Sequence, residues 1–352
     1  MRLGCSFSHV ERILIRGVNW LGDTILTLPT VEGIRNLFPD SQISILANED
    51  VCDLWRRFPF VNEVISFKRE KGLKFILEDF RIRNLLREKN FDLAIILPKS
   101  FHSAIQIFLT QIPIRIGYEY RGRSLFLNYK IPRTKEVLNI HRILYYKKLI
   151  EIFGNNIENA CPKIFLYEED RRVAERVLFN SGVSNGRLLI GINPGATYGL
   201  AKCWIPQRFG ELGKRISKIW GAKIIIFGRN EEKSIAQEII NIMGNNCIDL
   251  TGKTSILHLA AILEKCQLLI SNDTGTMHLA AALGIPVIAI FGSTNPKITG
   301  PWGSGHIVIK KNVPCSPCFK RVCPVDHKCM ELISVDEVEE AVNKKLQEIY
   351  KN

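Results

Sequence analysis

Three short stretches of this chain combine glycine, hydroxyl and charged side chains in ways that suit phosphate and sugar chemistry. The first is Ser271-Asn272-Asp273-Thr274-Gly275, which follows the apolar run Leu268-Leu269-Ile270 and precedes an Ala- and Leu-rich run from Thr276 to Leu283. Apolar run, polar glycine turn and helical run, the last stopped by Gly284 and Pro286 before apolar Val287 to Phe291, read as a strand, turn, helix, strand unit. Backbone N–H groups and the partial positive charge at such a helix start favour phosphate. Asp273 would repel phosphate, so beside a phosphorylated ligand it suits sugar hydroxyls. The same turn would also serve as an ordinary capped helix in an α/β sheet. The second stretch is Ala201-Lys202-Cys203-Trp204-Ile205-Pro206, where Lys202 on a loop before a helix can neutralise a diphosphate as a point charge, or lie on the surface beside a packed tryptophan. The third is Gly17-Val18-Asn19-Trp20-Leu21-Gly22-Asp23, a glycine-bounded loop after the strand Ile13-Leu14-Ile15. It places Asp23 at the start of a helix running from about Thr24 to Phe38, where it could act as a cap.

These stretches need strand ends and helix starts to hold them, and the rest of the chain supplies both. Strands are expected at Ile43 to Ala47, Val64 to Phe67 and Leu93 to Leu97, with a basic helix near Leu73 to Glu88 between the last two. Lys99, Ser100 and His102 then fall on the loop after the strand, where open α/β sheets bind ligands. The segment Gly117 to Arg123 adds Arg121 and Arg123 among tyrosines and glycines, as ligand contacts or as solvated loop charge. A helix is expected over Leu138 to Phe153, and the polar segment Gly154 to Pro162 suggests a domain boundary. After a helix from Glu168 to Asn180 the pattern restarts. Strand Leu188 to Ile192, turn Asn193-Pro194-Gly195-Ala196, helix Gln207 to Trp220, strand Lys223 to Phe227 and helix Glu231 to Met243 repeat the earlier alternation. Strand and helix in alternation mean mostly parallel sheets with helices on both faces.

At 352 residues the chain exceeds what one core usually serves, so two α/β domains are expected, over 1–160 and 161–333, with residues 334–352 as a terminal helix. The net charge of +13 is uneven: residues 1–150 hold 24 basic and 15 acidic side chains, the rest 24 and 20. An acidic partner suits the first half, be it nucleic acid, anionic lipid or a phosphorylated substrate. Nucleic-acid binding lacks a recognition motif to interleave with these charges and leaves the glycine turns unexplained. The opening MRLGCSFSHVERILI has no apolar core of signal-peptide length, so export is not expected. Leu250-Thr251-Gly252-Lys253-Thr254 looks like part of a P-loop but has Cys247 where the first glycine is needed, and no G-x-G-x-x-G follows the first strand. Neither nucleotide hydrolysis nor a dinucleotide cofactor is supported.

Cys315, Cys318, Cys323 and Cys329, with His327 between, open with a zinc-like C-x2-C spacing, yet the later spacings match no standard zinc or iron–sulfur pattern. A reduced, packed loop without metal is the preferred reading. From Ser334 the pattern SVDEVEEAVNKKLQEIY is amphipathic, with Ser334 as cap and Glu337 three residues on, and could pack back across the first domain.

Taken together, GVNWLGD, NPGATYGLAKCW, SNDTGTMHLAAALG and the terminal CSPCFKRVCPVDHKCM resemble the heptosyltransferases of lipopolysaccharide core assembly (glycosyltransferase family 9), and are more similar to type II than to type I. The resemblance implies a GT-B fold, two Rossmann-like domains facing a central cleft. It also implies inverting transfer of L-glycero-D-manno-heptose from ADP-heptose to the phosphorylated inner core of lipid A, with no cofactor. Carried over by position, the catalytic base falls on Asp23, the diphosphate contacts on Lys202, Thr274, Gly275 and His278, with Thr197 beside them, and the donor-sugar contact on Asp273; Thr276 joins them as a donor-binding residue. The ribose-binding acid falls on Glu231 or Glu232. Lys99, Ser100, His102, Arg121 and Arg123 become candidates for the acceptor. Cys203 stands where related enzymes often carry arginine. A cytoplasmic protein in peripheral contact with the inner membrane surface is the implied setting. Use of another nucleotide-sugar is the rival within the same chemistry, and a basic nucleic-acid-binding protein the rival outside it.

Overall fold

The computed structural model describes residues 7, 9–154, 161–184 and 186–351, which form two compact units, Met1–Phe165 and Leu166–Asn352. The boundary expected at 160 lies among residues outside those described, and the units divide a few positions later.

The first unit runs β1 (Arg12–Arg16), α1 (Leu21–Leu37), β2 (Gln42–Asn48), α2 (Cys52–Arg56), β3 (Glu63–Phe67), α3 (Leu73–Glu88), β4 (Leu93–Ile96), α4 (Phe101–Phe108), β5 (Ile114–Tyr118), β6 (Tyr129–Ile131), α5 (Lys135–Asn139) and α6 (Arg142–Lys147). Its sheet has the order β3-β2-β1-β4-β5-β6, with every pairing parallel. Ile13, Leu14, Ile15 and Leu93 to Ile96 are fully buried because helices cover both faces of a parallel sheet. The helix expected over 138–153 is instead broken into α5, α6 and a 3-10 turn at Glu151–Phe153. Ile140 leaves the helical region at φ −81°, ψ 163°, and the His141 ring accepts the Ile143 N–H to start α6 afresh.

The second unit runs α7 (Glu168–Asn180), β7 (Leu189–Asn193), α8 (Pro206–Trp220), β8 (Lys223–Ile226), α9 (Lys233–Met243), β9 (Cys247–Asp249), α10 (Ile256–Leu263), β10 (Leu268–Asn272), α11 (Gly275–Ala282), β11 (Val287–Phe291), α12 (Pro296–Thr299), β12 (Ile307–Lys310), α13 (Lys328–Glu331) and α14 (Val335–Lys351). Its order, β12-β11-β10-β7-β8-β9, is the same topology as the first when strands are counted from β7. Pro206 at the first turn starts α8, whose missing N–H costs nothing there, and left-handed Gly221 ends it. Ser334 caps α14 by accepting the Glu337 N–H at 3.2 Å. The apolar face of α14, Val335, Val338, Val342 and Leu346, is buried in the core of the second unit with Phe209 and Leu212 of α8.

Candidate active site

In a doubly wound sheet the strand order reverses at one point, and the loops leaving the carboxyl ends of the two central strands diverge to leave a crevice. In the second unit those strands are β7 and β10. Their loops are Asn193-Pro194-Gly195-Ala196, expected as a turn, and Asp273-Thr274-Gly275, singled out by residue type. Asn272 stitches the site together: its amide donates to the Pro194 carbonyl at 2.6 Å, while its Oδ1 accepts the Trp204 N–H at 3.0 Å.

Lys202 reaches this point from a 3-10 turn at Leu200–Lys202. Its Nζ lies 2.6 Å from Asp273 Oδ2 and 3.4 Å from the Asp273 carbonyl, and Thr294 Oγ1 donates to the same Oδ2 at 2.7 Å. The side chains are 14% and 4% exposed, so this is a nearly buried ion pair and not a solvated lysine. Tyr198 lies beneath the Lys202 ammonium, 5.0 Å from ring centroid to Nζ, with the Arg321 guanidinium 5.3 Å from the same ring. Thr274 is the N-cap of α11: its Oγ1 accepts the Met277 N–H and also meets Ser271 Oγ at 3.2 Å. The first N–H groups of a helix have no acceptor inside it, so those after Thr274 make the start of α11 an anion-favouring end. Thr276 and His278 are buried in α11, and Thr197 is exposed on the turn before Tyr198.

Between Glu231 and Glu232 the geometry discriminates. Glu231 is exposed and pairs with Arg229 at 3.4 Å. Glu232 turns inward, accepting the Arg229 N–H at 2.8 Å, and its carboxyl packs so closely on the Asn193-Pro194-Gly195 turn that a Cβ on Gly195 would sit 2.1 Å from it. Burial pushes its carboxyl above the usual 4.5.

The cysteine segment braces this site. The Ala201 N–H donates to the Arg321 carbonyl at 3.0 Å, Tyr198 O–H to the Phe319 carbonyl at 2.7 Å, and the Phe319 N–H to the Ser293 carbonyl at 2.8 Å. Gly199 is required where this brace is tightest: its φ is +152° and a Cβ would lie 2.3 Å from the Arg321 carbonyl oxygen. Cys315, Cys318, Cys323 and Cys329 are free thiols lining a cavity of about 140 Å³. Among the described residues no group of three or more His, Cys, Asp or Glu side chains is arranged to hold a metal ion. Cys203 is buried, and desolvation pushes its thiol up to about 12.

In the first unit the reversal falls between β1 and β4. Asp23 sits after β1, but α1 begins at Leu21, three residues earlier than expected, so Asp23 occupies the first turn and Trp20 the N-cap position, without a side-chain bond. Asp23 is thus not a cap. Its charge helps to raise the hydroxyl of buried Tyr146 on α6 well above the ordinary tyrosine range, after desolvation. After β4, Lys99 is exposed in the turn, while Ser100 and His102 do not belong to an open loop. Ser100 caps α4, accepting the Ser103 N–H at 3.2 Å, and His102 lies in the first turn of α4 with Nε2 3.0 Å from Asp79 Oδ1. Arg121 is exposed, stacked over Tyr120 at 5.0 Å. Arg123 departs from the expected solvated loop: it is 1% exposed, and its guanidinium packs over Gly117 with no hydrogen-bond partner among the described residues. Desolvation lowers it to about 10. A left-handed turn at Arg121, φ +50°, folds Arg123 inward.

A residue the sequence reading did not single out, Arg16, is buried at the end of β1. Its Nε donates to Gln106 Oε1 at 3.3 Å, the guanidinium lies 4.4 Å over Phe67, and Gln106 in turn donates to Asp79 at 2.7 Å. Arg16, Asn19, Arg69, Asp79, His102 and Gln106 line a polar cavity of about 250 Å³ beside the Asp23 loop. Tyr198, Thr294 and Arg321 were missed as well. Thr294, three residues past β11, was findable as the next loop at the same sheet edge; Arg321 carried no sequence signal.

The model of glycosyltransferase family 9 (heptosyltransferase) matches residues 80–329. The chain belongs to glycosyltransferase family 9. Lipopolysaccharide heptosyltransferase 2 of Salmonella typhimurium is 29% identical over 309 residues, 85% of this chain and 88% of that relative. Lipooligosaccharide heptosyltransferase 2 of Campylobacter jejuni is 28% identical over 94% of this chain and 98% of its own. Among solved structures, that of E. coli ADP-heptose lipopolysaccharide heptosyltransferase II superposes with a TM-score of 0.81 at 25% identity, covering 96% and 99% of the two chains. As a family 9 enzyme this chain is a glycosyltransferase of GT-B type, with two Rossmann-like α/β units, most like heptosyltransferase 2.

Proposed function

We propose that this glycosyltransferase moves heptose from ADP-L-glycero-D-manno-heptose to a heptose of the phosphorylated lipid A inner core, with inversion, as a type II heptosyltransferase. The observation that carries the donor half is the meeting of Lys202, Asp273 and the start of α11 at the reversal point of the second sheet. In this reading the diphosphate takes Lys202 and the N–H groups at Thr274 to Thr276, with His278 and Thr197 beside it. Glu232, not Glu231, accepts the ribose hydroxyls, since it alone of the two faces the Asn193 to Ala196 turn. Asp273, with one oxygen engaged by Lys202 and Thr294, accepts hydroxyls of the transferred sugar.

Asp23 is the base. It removes the proton from the acceptor hydroxyl as that oxygen attacks the anomeric carbon, the carbon–oxygen bond to ADP breaks, and Lys202 with the α11 start stabilises the departing charge. A carboxylate also offsets the positive charge that develops on the sugar ring. The anionic core of the acceptor is read by exposed basic groups of the first unit, Lys99 and Arg121, with Ser100 and His102 positioned by α4, while Arg123, 1% exposed, is out of contact and adds only its charge. The enzyme works at the cytoplasmic face of the inner membrane; no helix among the described residues is long and apolar enough to cross it.

ADP and ADP-heptose should raise the melting temperature while UDP does not, and Lys202→Ala should weaken ADP tenfold or more, since charge-assisted contacts contribute roughly 1.5–3 kcal/mol. Equal stabilisation by UDP would refute the ADP assignment.

A further inference from the structure

Helix α3 carries two apolar stripes on opposite sides. Ile82 and Leu86 face inward and join the core of the first unit with Leu14, Ala94 and Ile107. Leu73, Ile76, Leu77 and Phe80 follow one another at the three- and four-residue steps of a helical face, and they are 79%, 60%, 69% and 54% exposed. Four large apolar side chains in one exposed row over two turns form a contiguous patch, and such patches mark interaction surfaces.

The surroundings of the row determine what covers it. Between Lys68 and Lys89 the chain carries eight Lys or Arg and four Asp or Glu. Two of the four acids are already engaged: Glu78 is bonded to Arg81 at 2.7 Å, and Asp79 to His102 and Gln106. Lys71 and Lys74 are exposed at the start of the helix, and Arg69 lies over the half-exposed ring of Trp20 at 4.7 Å. An apolar stripe flanked by lysine and arginine, with an indole close by, is the arrangement of a helix that lies in a membrane interface and is drawn to anionic headgroups. A second copy of the chain is disfavoured by the same charges: a two-fold contact sets each patch against itself, so the basic flanks would face one another.

We propose that α3 is the membrane-docking element of this enzyme, lying along an anionic lipid surface with Leu73, Ile76, Leu77 and Phe80 inserted among the headgroups. This deepens the membrane-face setting proposed above by naming the element and the lipid class. Docking would hold the enzyme on the surface that presents a lipid-linked acceptor, so encounter becomes a search in two dimensions.

The test is sedimentation of the full-length protein with vesicles of phosphatidylethanolamine and phosphatidylglycerol, against vesicles of phosphatidylcholine alone. Binding is expected to the first and to fall steeply as salt rises. Leu73→Gln with Leu77→Gln should weaken it at least tenfold, and Lys71→Gln with Lys74→Gln should weaken it while flattening the salt dependence. Both variants should keep the parent's melting temperature and its transfer rate onto a water-soluble, deacylated acceptor, which separates docking from catalysis. The proposal is overturned if the parent does not sediment with anionic vesicles, or if the apolar variant binds them as well as the parent. It is equally overturned if ultracentrifugation finds a lipid-free dimer that Leu77→Gln disperses, which would assign the face to a second copy.

Discussion

Replacing Asp273 by Asn separates two uses of one carboxylate. In the structure Asp273 Oδ2 accepts from Lys202 at 2.6 Å and from Thr294 at 2.7 Å, in a pocket that leaves it 4% exposed. Asparagine keeps the shape and still accepts the threonine hydroxyl, but Lys202 loses its counter-charge. Removing one partner of a buried pair costs about 3–5 kcal/mol, and the 14% exposure of Lys202 puts this case near the lower end, about 3. At roughly 2–4 °C per kcal/mol for a unit of this size, the melting temperature of the free enzyme should fall by about 6–12 °C. ADP should then bind more tightly than to the parent, by about tenfold, because the diphosphate no longer competes with Asp273 for the ammonium and recovers part of the lost pairing. Heptose transfer should drop by about 10- to 100-fold, since a charged acceptor of sugar hydroxyls is gone. Thermal denaturation over an ADP titration, with turnover measured alongside, reads all three. If ADP affinity falls in step with that of Lys202→Ala, Asp273 assists the diphosphate instead of competing with it, and the competition between them is refuted.

Asp23→Asn should lower turnover by roughly 100-fold while costing less than about 1 kcal/mol of stability, the scale of a first-turn carboxylate on the helix dipole; near-normal turnover excludes Asp23 as base. For Glu232, the folded enzyme holds the carboxyl proton more tightly than the unfolded chain, so its contribution to stability is full below 4.5 and is lost as pH rises through the raised folded value. Glu232→Gln should therefore flatten the decline in melting temperature across that window, leave the free enzyme more stable at neutral pH, and weaken ADP; a parallel profile with unchanged ADP affinity argues against both roles. Arg123→Met removes a buried charge that has no partner among the described residues and should raise the melting temperature, yet raise the acceptor KM if that charge attracts an anion of the core. A stabilised variant with the parent's KM returns Arg123 to a purely structural position.

What could be read from residue types was the punctuation of the fold. Apolar runs ending in Asn193-Pro194-Gly195 and Asp273-Thr274-Gly275 identified strand ends, and in a doubly wound sheet two such ends suffice to place a crevice. The short strands β6 and β9, three residues each, were invisible because they are too brief for a periodic signal and are held by their sheet neighbours. Arg123 shows a different limit. Its sequence context of glycine, tyrosine and arginine looks like a solvated loop, and only the backbone turn at Arg121 decides that the guanidinium goes inward. Glu231 and Glu232 are adjacent and chemically alike; the capping bond from the Arg229 N–H selects one of them for the interior. Lys202 and Asp273 were each found by type, but their pairing was not, because residues 71 positions apart meet only through the sheet.

The brace between the cysteine segment and the Tyr198 to Lys202 turn couples two parts of the chain that share no chemistry. Coupling of this kind runs in both directions: if an ordered brace favours the nucleotide, then bound nucleotide must favour the ordered brace by the same free energy. Cys315 is exposed and Cys329 is buried in this segment. On that condition the thiols should report donor occupancy, alkylated by a thiol reagent more slowly when ADP is present. Alkylating them first should lower ADP affinity even though no cysteine of the segment lies among the proposed donor contacts.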